Sequence, residues 1–199
     1  MIATNKFFKS LLAGAFLACA FSQNAAAVDV AGINYKDTVK VAGKDLVLNG
    51  AGVRNKFVIK VYGAGLYLPS KKTTTEEVMK ETGPRRMQLV MLRDITSDDF
   101  GTSFMAGINN NLEKDDKMRI VGQLSKFGEM FASIPALKKG DVLDLDWIPG
   151  TGTVCLLNGK QVGETTPDLQ FHNAILKIWL GNKPADASLK PKLLGATKR

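Results

Sequence analysis

The chain has 199 residues, of which 45% are hydrophobic and 23% are charged, a balance typical of a globular protein. This composition excludes collagen-like, coiled-coil and intrinsically disordered chains, and two cysteines are too few for a disulfide-rich scaffold. A formal net charge of +8 and a pI of about 9.5 would fit a nucleic-acid or membrane-surface partner, so the basic excess has to be explained.

The N-terminal residues have the three parts of a cleavable secretory signal. Lys6 and Lys9 precede an apolar run over residues 11–21, and three alanines follow at the cleavage position. The run is shorter than the ~20 residues that a membrane-spanning helix needs. We therefore expect a signal peptide over residues 1–27 and a secreted, periplasmic protein with no stable membrane anchor. The alternative is a lipoprotein acylated at Cys19, but an aromatic residue three positions earlier replaces the required small aliphatic one.

Residues 28–199 are expected to form a single domain. A chain of this length buries roughly 70% of its unfolded surface, and no Ser/Gly/Pro-rich linker divides it. The only cysteine left is Cys155, so no internal disulfide can form. Because it lies in the apolar run Val154 to Leu157, we expect a buried, inert thiol and not a nucleophile.

The first part of this domain reads as short strands. Residues 28–68 are rich in Val, Ile, Leu and Tyr and are interrupted by glycines, which predicts strands joined by tight turns. Residues 57–68 have apolar side chains on both parities, which predicts one central strand covered on both faces. Gly63 and Gly65 within it indicate a bulge or the close approach of another segment or a ligand.

Helices are predicted for the middle of the chain. Thr74 and Glu77 form a capping box that opens a short helix over residues 76–81, and a strand follows over residues 86–93. A helix beginning after Thr96 and a second one over residues 115–133 show helical apolar periodicity. The apolar positions of the first of these two helices are Phe100, Phe104, Ile108 and Leu112.

The last part returns to strands and closes with a helix. Residues 142–148 alternate with Asp144 and Asp146 on one face, for which we expect a solvated face, a metal site being the alternative. Asn158-Gly159 predicts a hairpin turn, and a final helix runs from Asp168 to Leu180. The predicted fold class is α+β, with helices layered on an antiparallel sheet.

The sequence lacks the common catalytic and cofactor motifs. It has no Gly-rich phosphate loop, no paired-cysteine metal spacing, no His cluster and no G-x-S-x-G elbow. His172 stands alone, which favours a surface or core-edge histidine over a catalytic base. We therefore predict no metal, no cofactor and no catalytic residue. The basic residues form pairs at turns and helix ends without interleaved aromatics, which argues against a nucleic-acid partner.

Two segments carry a resemblance to a known family. Residues 49–68, NGAGVRNKFVIKVYGAGLYL, resemble the signature segment of the chalcone isomerase-like family. The closing stretch resembles the C-terminal helix and tail of its secreted bacterial branch, at Phe171, residues 174–176 and 178–181, Pro184, and residues 189–190 and 193–195. The resemblance implies an open-faced β-sandwich, in which a large antiparallel sheet is covered by helices with an apolar cleft between them. It also implies one of three functions, since the family includes plant chalcone-to-flavanone isomerases, plastid relatives that bind fatty acids and non-catalytic members.

Individual residues decide between these functions. In the family an Arg on an early strand and a hydroxyl residue on the central strand frame the site, and their counterparts here are Arg54 and Tyr62. A Tyr at the second position is what the fatty-acid-binding relatives have. The enzymes place a Tyr and an Asn on the first cleft helix, where this chain has Phe100 and Gly107, neither of which can polarise a ketone by hydrogen bonding.

These substitutions favour a non-catalytic protein that binds a fatty acid or a similar amphipathic carboxylate in an apolar cleft. The expected ligand-binding residues are Arg54, Tyr62, Tyr67, Phe100 and Phe104, and the expected partner is a small lipophilic carboxylate. One alternative is an isomerase of the intramolecular lyase type acting on an unsaturated ketone, and another is an interaction module whose cleft is filled by its own side chains.

One distance opposes a shared site for Arg54 and Tyr62. On a single straight strand their eight-residue separation would correspond to about 26 Å, too far to grip one carboxylate. A shared site therefore requires a bend or bulge in this stretch.

Overall fold

A computed structural model of the chain describes residues 27–196. The strands are β1 (Ala27–Val30), β2 (Ile33–Lys36), β3 (Thr38–Val41), β4 (Lys44–Lys56), β5 (Ile59–Leu68), β6 (Arg85–Met91), β7 (Ile95–Thr96), β8 (Ala136–Leu137), β9 (Val142–Ile148), β10 (Gly152–Leu157) and β11 (Lys160–Gln161). The helices are α1 (Thr75–Lys80), α2 (Ser97–Asn111), α3 (Lys114–Arg119), α4 (Val121–Ala132), α5 (Leu169–Leu180) and α6 (Leu189–Leu193). The predicted signal peptide lies, apart from Ala27, outside the described residues and stays a prediction.

The centre of the fold is a seven-stranded antiparallel sheet. Its strand order is β11-β10-β9-β6-β5-β4-β3, and every neighbouring pair is antiparallel. Alternate residues of β5, β6 and β9 point into one large apolar core that α2, α4 and α5 complete. Sheet and helices therefore form the layers that the α+β prediction requires. Within residues 27–196, no helix is both long and apolar enough to cross a membrane.

The central strand predicted over residues 57–68 begins two residues later, as β5, and forms a hairpin with β4. The chain turns at Phe57-Val58, and β4 and β5 pair on either side of this turn. The prediction was wrong at this point because the turn contains no Gly, Asn or Pro, the residues that usually mark one. From Val61 to Leu68 every residue of β5 is buried, so the expected coverage of both faces is confirmed.

The N-terminal hairpin of β1 and β2 explains two glycines of β5. Tyr35 of β2 is fully buried, and its ring lies over Gly63 and Gly65. A Cβ atom on Gly65 would come within 2.7 Å of the Tyr35 ring carbons Cδ1 and Cε1. The predicted close approach of another segment is therefore confirmed, and that segment is the N-terminal hairpin.

The prediction that Asp144 and Asp146 lie on a solvated face of β9 is also wrong. Asp144 and Asp146 are 6% and 3% exposed, and they face Arg86 on β6. Arg86 donates to both carboxylate oxygens of Asp146 at 2.6 Å, while Gln88 Nε2 donates to Asp144 at 2.8 Å. The two carboxylates thus belong to a buried ion-pair network on the sheet face away from α2 and α5, which sequence alternation alone could not reveal.

The predicted second helix of the middle region is broken in two. Ile120 leaves helical geometry, with φ −112° and ψ 12°, and separates α3 from α4. The break buries Ile120 and leaves Met118 and Val121 exposed, whereas an unbroken helix with the apolar period of residues 115–133 would place both on its apolar face. By contrast, the capping box at Thr74 and the Asn158-Gly159 turn are formed as predicted.

Candidate ligand-binding site

A cavity of about 170 Å³ opens at one end of the cleft between the sheet and the helices α2 and α5. Its walls come from the β4–β5 hairpin, the segment after β6, α2, the end of α5 and the loop that follows α5. The lining side chains are Arg54, Lys56, Ile59, Val61, Tyr62, Arg93, Asp94, Ile95, Asp99, Phe100, Ser103, Phe104, Ile178, Trp179 and Ala185.

The hairpin brings Arg54 and Tyr62 together. They are direct cross-strand partners in β4 and β5, and the register shifts immediately after Arg54, as at a bulge. The guanidinium carbon of Arg54 lies 5.4 Å from the centre of the Tyr62 ring. The separation of about 26 Å expected for a straight strand therefore does not apply, since the chain folds back between the two residues.

Tyr62 is held in place from the helical layer. Trp179 Nε1 on α5 donates a hydrogen bond to the Tyr62 hydroxyl at 2.8 Å. Burial raises the pKa of Tyr62, and this effect exceeds the opposing influences of the Arg54 charge and the indole hydrogen bond. The phenol is therefore neutral at ordinary pH, and because its oxygen accepts from Trp179, its own proton is available to a ligand.

Among residues 27–196, Arg54 has no carboxylate partner. None of the ion pairs among residues 27–196 includes it, and its Nε atom is buried without a hydrogen-bond partner there. The nearby Asp186 is already engaged, because it accepts from the backbone N–H of Asn55 at 2.8 Å and from Ser188. The contacts among the described residues therefore do not support a purely structural role for Arg54 as a salt bridge between strands.

The inner wall of the cavity is aromatic. Phe100 and Phe104, both 6% exposed, follow each other on α2 and line it. Behind them the rings of Phe127 and Phe131 on α4 pack at centroid distances of 5.1 Å from Phe104 and 4.8 Å from Phe100. The cavity therefore combines a cationic, hydrogen-bonding side with an apolar end.

Comparison with known proteins identifies the family. The model of the family described as chalcone isomerase-like matches residues 27–195. The chain belongs to the chalcone isomerase-like family. Among solved structures it is similar to an Arabidopsis thaliana fatty-acid binding protein, with a TM-score of 0.64 and 17% sequence identity over 82% of this chain and 92% of that one. No curated protein matches the sequence.

The membership settles the architecture that the resemblance implied, an α+β fold with a large antiparallel sheet covered by helices. Phe100 and Gly107, the two α2 positions that the resemblance compared with the enzymes' Tyr and Asn, lie in different surroundings. Phe100 lines the cavity without a hydrogen-bonding group. Gly107 packs against α5, where an added Cβ would lie 2.7 Å from Ile178 Cγ2. Any larger residue at position 107 would require the Ile178 side chain, or α5 with it, to move.

Tyr67 lies apart from the other residues of the expected site. It is fully buried in the cluster with Tyr35 on the second face of the sheet and does not line the cavity. Its hydroxyl has no hydrogen-bond partner among the described residues, and burial, with the nearby charge of Asp144, raises its pKa. Four of the five expected residues thus converge on the cavity, and Tyr67 is left out of the proposed site.

The isolated histidine and the cysteine are also remote from the cavity. His172 is fully buried, with its Nδ1 atom 3.3 Å from the Thr153 hydroxyl. Burial, reinforced by the charge of Arg85, lowers the pKa of His172 well below its usual value, so the imidazole is neutral. Cys155 is a buried free thiol whose pKa burial raises, which agrees with the expected inert role.

The structure adds site residues that the sequence did not single out. Trp179 holds Tyr62 although 117 positions separate them, and Ser103 places a hydroxyl on the wall one turn after Phe100. Lys56 and Arg93 bring further positive charge to the cavity. The only sequence signals for Trp179 and Ser103 were a side chain with an N–H donor and a hydroxyl side chain on otherwise apolar helix faces.

Proposed function

We propose that this protein binds a fatty acid or a similar amphipathic carboxylate in the cavity, without catalysing a reaction. The observation that carries the proposal is Arg54, which has no ion-pair partner among the described residues, beside the neutral Tyr62 in an open cavity with an aromatic inner end. A guanidinium presents a planar two-donor fork for a carboxylate, and a phenol adds a third donor. The fold is also that of a structure described as a fatty-acid binding protein.

The size of the cavity sets how the ligand would lie. About 170 Å³ is close to the ~150 Å³ of an engineered apolar cavity that accepts benzene. The cavity therefore suits the carboxylate and the first carbons of an acyl chain, with Phe104 among the side chains at its apolar end. The rest of the chain would leave past Ile59, toward the β4–β5 turn.

The charges around the cavity favour an anion. Arg54, Lys56 and Arg93 face two carboxylates, Asp94 and Asp99. Asp94 is already bound, since the side chain of Lys138 and the backbone N–H of Lys139 both donate to it. The cavity beside Arg54 also argues against the alternative of a cleft filled by its own side chains.

An isomerase remains the competing function. Tyr62 keeps a proton to donate and Arg54 lies beside it, which is an arrangement that could polarise a ketone. Against it stand the absence of a hydrogen-bonding side chain at Phe100 and the tight packing at Gly107. An assay that follows cyclisation of a chalcone-type ketone by absorbance decides the point, and turnover that is abolished by Arg54→Ala would replace the binding proposal with an enzymatic one.

Calorimetric titration with laurate tests binding directly. We expect the protein to bind laurate, and native mass spectrometry of the purified protein should show either a co-purified adduct or a laurate adduct after addition. Arg54→Lys keeps the charge but loses the fork, so it should weaken binding less than Arg54→Gln. Arg119→Gln, at an exposed position on α3, is the matched control and should leave binding unchanged. A clean unliganded mass together with no heat of binding would refute the proposal.

We also propose that the protein acts after export, because the N-terminal sequence has the form of a signal peptide. Expression of the full chain in a bacterial host should give a periplasmic product that begins at Val28. A product in the cytoplasm with the N-terminal segment retained would contradict this.

A further inference from the structure

The tip of the β4–β5 hairpin exposes two apolar side chains. Phe57 is 93% exposed and Val58 is 96% exposed, so neither packs against any described part of the chain. Phe57 also adopts a φ of +57°, a left-handed conformation that glycine adopts without steric cost and a Phe does not. The turn thus presents a large aromatic side chain to solvent at a position where the backbone favours glycine.

Basic residues surround this tip. Lys56 and Lys60 flank it directly, both exposed, and Arg93 lies nearby on the cavity wall. None of these three cations takes part in an ion pair among residues 27–196. An apolar tip with unpaired lysines on both sides is complementary to a surface that is apolar beneath anionic headgroups.

The tip is continuous with the cavity. Lys56 and Ile59 line the cavity, and Phe57 and Val58 are the two residues between them. Ile59 is 46% exposed and connects the apolar tip to the apolar lining. A chain that leaves the cavity past Ile59 therefore reaches the tip first.

We propose that the β4–β5 tip docks reversibly on an anionic lipid bilayer, with Phe57 and Val58 inserted among the acyl chains and Lys56 and Lys60 at the headgroups. Docking would place the cavity mouth at the membrane surface, so that an amphipathic ligand passes between bilayer and cavity without crossing water. The transfer step rests on the proposed function, whereas the docking itself does not.

Co-sedimentation of the ligand-free protein with vesicles tests the docking. We expect the protein to bind vesicles of phosphatidylcholine with phosphatidylglycerol and to bind vesicles of phosphatidylcholine alone much more weakly. The double variant Phe57→Ser/Val58→Ser should lower the affinity for the mixed vesicles roughly tenfold or more, since it removes the inserted apolar surface. Lys56→Gln and Lys60→Gln should each lower it about fivefold.

A matched double variant controls for loss of exposed apolar surface elsewhere. Met118→Ser/Val121→Ser alters side chains that are 58% and 63% exposed on α3 and α4, and it should leave vesicle binding unchanged. Equal binding by the Phe57/Val58 variant and the parent protein would overturn the proposal, as would an equal loss in the Met118/Val121 variant. So would a dimer in sedimentation velocity that only the Phe57/Val58 substitutions dissociate, because the tip would then bind a second copy of the chain. Laurate calorimetry on the same variants reports separately on the cavity, so failure of docking and failure of ligand binding are distinguishable.

Discussion

Two buried tyrosines on opposite faces of β5 should respond in opposite ways to loss of their hydroxyl groups. Tyr62 is 5% exposed and accepts a hydrogen bond from Trp179, whereas Tyr67 is fully buried and its hydroxyl has no partner among the described residues. Tyr62→Phe leaves the buried indole N–H without an acceptor, which costs about 1–3 kcal/mol in the free energy of unfolding. Tyr67→Phe removes an unsatisfied hydroxyl and should leave stability unchanged or raise it by about 1 kcal/mol.

The same two substitutions should also differ in their effect on ligand binding, because only Tyr62 lines the cavity. A hydrogen bond to a carboxylate contributes about 1.5–3 kcal/mol, so Tyr62→Phe should weaken laurate binding by about 10- to 150-fold. Tyr67→Phe should bind laurate like the parent protein. Urea unfolding measures the changes in stability, and calorimetric titration measures the changes in laurate affinity.

A double-mutant cycle with Trp179→Phe isolates the hydrogen bond. Once the indole donor is gone, Tyr62→Phe should cost less than it does in the parent protein, with a coupling free energy of about 1 kcal/mol or more. An additive cycle would show that the Tyr62–Trp179 hydrogen bond does not stabilise the fold. If Tyr67→Phe lost as much stability or laurate affinity as Tyr62→Phe, the claim that only Tyr62 belongs to the cavity face of the sheet would be refuted.

Three further outcomes are expected from the core and the cavity wall. Gly65→Ala places a methyl group against Tyr35 and should destabilise the fold by about 1–3 kcal/mol in urea unfolding. The control Gly128→Ala, in open space on α4, should stabilise the fold by about 0.5–1 kcal/mol. Equal effects of the two substitutions would contradict the packing of the N-terminal hairpin. Burial lowers the pKa of His172, so the unfolded chain binds the extra proton and stability should fall as the pH drops below about 6.5, by up to about 1.4 kcal/mol per pH unit. Urea midpoints between neutral and mildly acidic pH measure this slope, and His172→Gln should reduce it; an unchanged slope would assign it to other groups. Phe104→Ala should destabilise the fold by about 3–5 kcal/mol and shift binding toward laurate over octanoate in calorimetry, while an unchanged preference would show that Phe104 does not limit the cavity.

Local sequence patterns predicted most of the secondary structure. The helices α1, α2 and α5 and the β10–β11 turn follow from caps, periodicity and Asn-Gly chemistry, which act within a few residues. The turn at Phe57-Val58 was missed because its residues are apolar and the backbone there takes a strained conformation instead of using glycine.

Contacts between distant segments could not be predicted in the same way. The burial of Asp146 depends on Arg86, 60 positions away, and the fixed hydroxyl of Tyr62 depends on Trp179, 117 positions away. The pairing of Arg54 with Tyr62 depends on the missed turn. The family resemblance pointed to Arg54, Tyr62 and Phe100, and helical periodicity added Phe104, all of which line the cavity. Only the packing of the two sheet faces separates Tyr67 from them.

The central claim is that Arg54 binds a carboxylate in the cavity, and one comparison of ligands tests it most directly. Laurate and dodecanol both have an unbranched chain of 12 carbons, but only laurate carries a charge. The protein should bind laurate about 10- to 150-fold more tightly than dodecanol, and Arg54→Gln should abolish that difference while leaving dodecanol binding unchanged. Equal affinities in the parent protein, or a preference for laurate that survives Arg54→Gln, would contradict the claim.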